Sequence, residues 1–164
     1  INLDNYLLQR VNWLSPDIIM KKEITFNLYF DESLKCSQEY NFFSRLLCVT
    51  KKSTYNTNYL TLRRYDPKSI SETIRKKSNC KLISHWKTFN QTKHKANNFS
   101  KKTLINSIYK TVITIDDRPK EISYLQLMYN IFRYGNNKVY KLIYFHVVSY
   151  TNRFHFLRKL AFDE

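Results

Sequence analysis

The strongest candidates for chemistry in this chain lie between positions 87 and 102. This stretch reads KTFNQTKHKANNFSKK and holds no acidic residue. Lysine ammonium groups neutralise phosphates and release counterions, whereas aromatic rings stack on unpaired bases and amides bond base edges. The pattern therefore predicts a surface that binds a polyanion. Its candidate contacts are Lys87, Phe89, Lys93, His94, Lys95, Phe99, Lys101 and Lys102, and Trp86 offers one more ring.

Two further basic clusters precede this stretch. Lys51 and Lys52 form the first, and residues 63–77 contain the second. Adjacent arginines suit bidentate phosphate contacts better than lysines do. The second cluster comprises Arg63, Arg64, Lys68, Arg75, Lys76 and Lys77. Residues 34–115 thus hold 17 Lys and Arg against three acids, which is nearly all of the chain's formal net charge of +15. Folding does not require such segregation, so it indicates an electrostatic footprint.

The composition also carries a coding signal. Phe, Tyr, Ile, Asn and Lys are abundant, whereas Gly, Ala, Arg and Pro are scarce. This skew indicates an A/T-rich genome, such as that of an organelle, a large DNA virus, a plasmid or an A/T-rich protist. Mutational pressure of this kind raises lysine everywhere, so it does not explain why the charge is confined to one region.

Several classes of protein are excluded by residue counts. Gly135 is the single glycine, so a Rossmann fingerprint, a P-loop and a KH-type GxxG loop are all absent. Cys36, Cys48 and Cys80 are odd in number and show no CxxC pairing. We expect three free thiols in a reducing compartment, with no disulfide framework, zinc site or other cofactor.

The sequence favours a soluble or peripheral protein. Residues 1–16 lack the basic flank and apolar run of a secretory signal. Residues 139–150 are apolar but too short to span a bilayer, and Lys141 and His146 interrupt them. A first residue of Ile is compatible with a processed product, a non-AUG start or a fragment.

The secondary structure expected around the candidate binding residues indicates one α+β domain over residues 1–164. We expect a small mixed sheet packed against two or three helices, with residues 87–102 as an extended basic loop. Period-two alternation predicts a strand over residues 23–30, the clearest in the first half, and another over 59–63. β-branched residues favour a strand near 111–115, and residues 139–150 read as a buried strand.

Helical spacing marks other segments. A short helix is expected before Pro16, and further helices over residues 68–77 and 120–134; residues 38–50 suit either a helix or a strand. The helix over 120–134 should bury a stripe of Ile122, Leu125, Met128 (or Tyr129) and Phe132. Gly135 should take the left-handed position after its end.

DNA reading and catalysis have weaker sequence signals. Residues 70–86 approximate a helix-turn-helix, but the middle is too long and Arg75 stands where a small residue is common. Asp116 and Asp117 could bind a metal, although such a pair more often caps the following helix. A ribonuclease pairing two of His85, His94, His146 and His155 with a lysine needs no motif.

We therefore predict a non-catalytic RNA-binding structural protein. Small size, segregated charge and A/T-rich coding favour a subunit of a mitochondrial ribosome in the matrix, which contacts rRNA and neighbouring ribosomal proteins. The alternatives are a virus- or plasmid-encoded protein that binds nucleic acid or a host protein in the host cytoplasm, and a small nuclease. A further alternative is an accessory subunit of a mitochondrial membrane complex, whose basic surface would meet anionic lipid.

Overall fold

All regular secondary structure in the part of the chain that the structure describes is helical. The computed structural model describes residues 1–11, 13, 15–54, 78–112 and 122–135. They form five α-helices, namely α1 (Leu3–Leu7), α2 (Gln38–Val49), α3 (Ser78–Thr92), α4 (Asn98–Val112) and α5 (Tyr124–Tyr134). Since these residues contain no β-strand, the predicted α+β fold with a mixed sheet is wrong.

The strand predicted over residues 23–30 is replaced by helical turns. A 3₁₀ helix spans Lys22–Thr25, and the Leu28 amide then donates to the Thr25 carbonyl at 2.9 Å. Ile24 and Leu28 pack partly buried against the core, while Phe26 is 69% exposed. The two core contacts are four residues apart, which is a helical interval, so the apparent alternation did not mark a sheet face.

Helices α2 and α3 run parallel to each other. A disulfide joins Cys36, just before α2, to Cys80 at the start of α3, with 6.0 Å between the Cα atoms. Farther along both helices, the Asn41 amide donates to the Thr88 hydroxyl at 3.1 Å. The prediction of three free thiols is therefore wrong for this pair, and Cys48 alone is free.

Residues 87–102 do not form an extended loop. They contain the end of α3, a tight turn and the start of α4. The stretch seemed too polar to bury a face, yet Thr88 and Thr92 are both fully buried. Their hydroxyls donate to the carbonyls one turn earlier, at 2.8 and 2.7 Å, so the polar groups are satisfied within the helix. Short threonines can therefore line the core beside Phe89.

Asn97 and Asp4 fix the start of α4. The Asn97 side chain accepts a hydrogen bond from the Ser100 amide at 2.7 Å, as an N-cap residue does. Its amide group donates to the Asp4 carboxylate at 3.0 Å, and the Ser100 hydroxyl also donates to Asp4. The helix then continues to Val112, so residues 111 and 112 are helical rather than part of a strand. Residues 113–115 lie outside the described residues.

Helix α5 confirms the predicted late helix but turns a different face to the core. Leu127 and Ile131 are fully buried, and Ile122, which precedes the helix, is 1% exposed. Leu125 and Phe132, expected in the buried stripe, are 77% and 56% exposed. The predicted stripe is thus rotated around the helix.

Gly135 ends α5 without a left-handed conformation. Its φ is −70° and its amide donates to the Ile131 carbonyl at 2.8 Å. A Cβ atom at this position would lie 2.5 Å from the same carbonyl oxygen. Glycine is therefore needed here for close approach to the helix rather than for a positive φ.

Aromatic rings from α1, α2 and the segment between them fill one side of the core. Tyr6 lies 5.9 Å from both Trp13 and Tyr40, and Trp13 meets Phe43 edge-on at 5.6 Å. Burial raises the pKa values of Tyr6 and Tyr40, with Glu39 adding to the effect at Tyr6 and Tyr6 to that at Tyr40. The strands predicted over 59–63 and 139–150 and the helix over 68–77 lie outside the described residues.

Candidate nucleic-acid interface

The parallel arrangement of α2 and α3 brings several basic residues to one end of the helical bundle. The last turn of α2 faces the α3–α4 turn. Burial raises the pKa of the Cys48 thiol in that last turn, and the charge of Lys95 in the α3–α4 turn partly offsets this rise. Lys51 and Lys52 follow α2 directly. We call this region the basic end, and it comprises Lys51, Lys52, Lys93, His94, Lys95, Lys101, Lys102 and Arg133.

Most cations of the basic end are accessible. Lys95 and Lys102 are exposed, as are Lys51 and Lys52. Lys93 is half-buried and donates to the Asn90 side chain at 3.0 Å. Cations beside the carboxyl ends of helices also complement the helix dipole, so part of this charge stabilises the fold itself.

A cluster of cations and tyrosines links α4 to α5 at this end. The Lys101 ammonium lies 5.7 Å from the centre of the Tyr134 ring. The Arg133 guanidinium lies 5.3 Å from the same ring and 5.9 Å from that of Tyr129. It also donates to the Tyr129 hydroxyl at 2.8 Å. Four side chains thus form a continuous surface in which positive charge alternates with aromatic rings.

The aromatic residues predicted to stack on bases are divided between core and surface. Phe89 is fully buried and Trp86 is 6% exposed. The two rings lie 6.0 Å apart, and Phe89 also meets Tyr134 at 5.9 Å. Their packing excludes them from base stacking in this structure. Phe99, by contrast, is 49% exposed beside Lys101 and Lys102.

Lys87 belongs to a separate polar network between α2 and α3. Its ammonium contacts the Asp31 carboxylate at 3.9 Å and donates to the Ser33 hydroxyl. A hydrogen bond from the Ser33 side chain is the main cause that lowers the pKa of Asp31. Gln91 donates to Asp31 at 3.2 Å and accepts from the fully buried Asn41 at 2.7 Å. These contacts give Lys87 a structural role and separate it from the basic end.

An acid also contacts the basic end. Asp4 is half-buried, and its two carboxylate oxygens accept hydrogen bonds from Asn97 and Ser100. It lies at the first turn of α4, where negative charge is favourable. Asp4 is therefore engaged in holding α1 to α4 and offsets only part of the surrounding positive charge.

The structure does not bring the described histidines together as a catalytic pair. His85 is 7% exposed, and its ring lies 4.9 Å from that of Tyr40. Burial, with a smaller effect of Lys81, lowers its pKa to about 4. His94 is exposed in the α3–α4 turn. Within the described ranges, no group of three or more His, Cys, Asp or Glu could hold a metal ion.

Several predicted residues lie outside the described residues. They are Arg63, Arg64, Lys68, Arg75, Lys76 and Lys77 of the second basic cluster, Asp116 and Asp117, and His146 and His155. The predicted helix-turn-helix is described only from residue 78 onward, where Leu82 and Trp86 belong to the single helix α3. Where the structure describes the chain, no helix combines the length and apolar character needed to cross a membrane.

The predicted site residues did not include Tyr129, Arg133 or Tyr134, and Tyr129 was named only as an alternative member of the buried stripe of the late helix. The signal available was the spacing of Tyr129 and Arg133, four residues apart in a helix without acids. The contact between Lys101 and Tyr134 depends on the packing of α4 against α5, so the sequence gives no signal for it. Comparison of the chain with protein-family models, with curated proteins and with solved structures finds no match.

Proposed function

We propose that this protein is a non-catalytic RNA-binding structural protein that contacts phosphates through its basic end. The observation that carries the proposal is the α3–α4 hairpin. Residues 78–112 contain seven lysines and no Asp or Glu. An acid-free hairpin of this length creates a positive potential that packing alone does not require.

The position of the charge supports a polyanion as the partner. The α3–α4 turn brings Lys93, Lys95, Lys101 and Lys102 close together, and α2 delivers Lys51 and Lys52 to the same end. A phosphate backbone presents closely spaced negative charges, so several lysines can act on it at once.

The proposed assembly is an organellar ribosome, and the proposed location is the mitochondrial matrix. This part of the proposal is supported by the A/T-rich coding bias and by the small size and basic character of the chain. Neighbouring ribosomal proteins would then be its protein partners. Co-sedimentation with ribosomal particles in a gradient tests the assignment, and migration with a membrane complex would contradict it.

RNA binding can be tested by removing charge from the basic end. We expect Lys95→Ala, Lys101→Ala and Lys102→Ala together to weaken binding to RNA of mixed sequence. Each lost phosphate contact should also reduce the dependence of log Kd on log salt concentration, by roughly 0.7 for a single strand. Titration at several salt concentrations, by fluorescence anisotropy, measures both effects.

A matched control removes the same charge elsewhere. Lys35, Lys81 and Lys110 are exposed, and they lie near the start of α2, the start of α3 and the end of α4. This is the end of the bundle opposite the basic end. Their joint replacement by Ala should leave most of the affinity intact. Equal losses in the two triple variants, or wild-type binding that is insensitive to salt, would contradict the proposal.

A further inference from the structure

Helix α5 exposes a row of large side chains on its outer face. Leu125, Tyr129 and Phe132 are 77%, 56% and 56% exposed. Their spacing of four and three residues places them on one side of the helix. The opposite side is buried through Leu127 and Ile131. Helix α5 therefore carries large apolar side chains on both faces, and the face of Leu127 and Ile131 is the buried one.

The charge around this outer face limits what it can bind. Residues 122–135 contain one cation, Arg133, and no acid. Arg133 contacts Tyr129 directly, and Lys101 of α4 contacts the same Tyr134 ring as Arg133 does. The row thus continues into the cations of the basic end. A partner that combines negative charge with flat apolar surfaces matches this composition.

We propose that the outer face of α5 stacks on unpaired bases of single-stranded RNA, with Tyr129 and Phe132 as the stacking residues. This inference rests on the proposed function and specifies which form of RNA the basic end selects. Arg133 and Lys101 hold the adjoining phosphates. Rings three residues apart on a helix have Cβ atoms about 5–6 Å apart, so they can receive neighbouring nucleotides.

The exposed rings favour single strands over duplexes. In an A-form helix the bases are stacked on each other and the major groove is too narrow for side chains to read. A duplex therefore offers the lysines its phosphates but offers the rings no base face. In a single strand both contacts form together, which gives a preference that charge alone does not supply.

The test compares single-stranded and duplex RNA of the same sequence at one salt concentration. Replacing Tyr129 and Phe132 together by Ala should weaken single-strand binding by roughly tenfold or more, since each stacked base contributes substantially. Duplex binding and the salt slope should stay near wild type. Tyr129→Phe should keep most of the affinity, because it retains the ring and loses only the hydroxyl that accepts the Arg133 hydrogen bond.

Leu125→Ala is the matched control for apolar area. Leu125 is the most exposed of the three residues but has no ring, so its loss should leave RNA affinity unchanged. Circular dichroism and thermal melting of each variant show whether α5 is intact. An equal loss from Leu125→Ala, or floatation with anionic vesicles that all three residues support equally, would indicate a lipid or protein partner and overturn the inference.

The two proposals fail in different ways. If the wild-type protein binds RNA with steep salt dependence but treats single strands and duplexes alike, the stacking inference fails and the RNA-binding function stands. If the wild-type protein binds neither form of RNA, the proposed function fails and the stacking inference fails with it.

Discussion

At the scale of single residues, His85 shows how burial decides a chemical role. Its position near Tyr40 and inside the core keeps the imidazole neutral, with a pKa of about 4. A general base for RNA cleavage needs a pKa near the working pH and access to substrate. His85 has neither in this structure.

The first prediction concerns the pH dependence of that stability. The pKa of His85 is lower in the folded state than its unfolded value of about 6.5, so the unfolded chain binds the proton more readily. The stabilisation is therefore complete above about pH 6.5 and is lost as the pH falls toward 4. Unfolding free energy measured by urea titration should fall by up to about 3 kcal/mol over this range from His85 alone.

The control for this prediction is His85→Phe, which keeps a ring beside Tyr40 but cannot titrate. Its stability should change less between pH 7 and pH 4 than that of the wild type. Parallel pH profiles for the two proteins would show that His85 is not the group responsible.

At the scale of elements, the α3–α4 hairpin depends on how its second helix begins. Asn97 caps α4 and also bonds Asp4, so one side chain links the turn, α4 and α1. We expect Asn97→Ala to lower the unfolding free energy by about 1 kcal/mol, with up to about 2 kcal/mol for a fully lost cap. Thermal or urea denaturation measures the change.

The neighbouring Asn98 provides the comparison for the cap. It is exposed and lies inside α4 rather than before it. Replacing Asn98 by Ala should change stability by less than about 0.5 kcal/mol. If both variants lose the same stability, the assignment of Asn97 as the cap is wrong.

The elements that sequence patterns predicted well are those whose core residues are large and apolar. The late helix was found from its periodicity, and helix was one of two structures allowed for residues 38–50, where α2 buries Phe42, Phe43, Leu46 and Leu47. The α3–α4 hairpin was missed because its buried face includes threonines and serines that bond their own helix or Asp4. A hydrophobicity pattern treats such residues as surface.

For the candidate site, the sequence supplied candidate residues but not their arrangement. Sequence reasoning identified the lysines around the α3–α4 turn. It assigned base stacking to Phe89, which is in the core, and overlooked Tyr129 and Tyr134, which lie beside cations. The exposed face of α5 could not be distinguished from its buried face because both are apolar, and only contacts from α3 and α4 select one.

At the scale of the whole molecule, the two ends of the bundle differ in chemistry. One end gathers the lysines of the α3–α4 turn, those after α2 and Arg133 of α5. The other holds the Cys36–Cys80 disulfide and Glu39, which accepts hydrogen bonds from the Ser15 amide and hydroxyl. The disulfide and the basic end, where we propose that RNA binds, therefore lie about one helix length apart.

The prediction for the whole molecule concerns the stability that the disulfide contributes. It links residues separated by 44 positions, for which chain-entropy arguments give a stabilisation of roughly 4 kcal/mol. Replacing Cys36 and Cys80 together by Ser should lower the denaturation midpoint markedly, as should reduction of the wild type. Thiol labelling of the unreduced, unfolded protein should find one reactive cysteine, Cys48.

Cys48→Ser is the control, because this thiol is free and half-buried. Its replacement should leave stability close to wild type, and the protein should stay sensitive to reductant. A wild-type protein with three reactive thiols and a melting curve unaffected by reductant would contradict the prediction.

The Cys36–Cys80 bond also changes the connectivity of the molecule. Backbone and disulfide together close a covalent ring that contains all of α2, and two tails leave it at the same point. One tail carries α1, and the other carries the rest of α3 followed by α4 and α5. A single break in the peptide chain inside the ring would open it without separating the tails. The helices that form the basic end would therefore remain tethered to α1 in a nicked molecule.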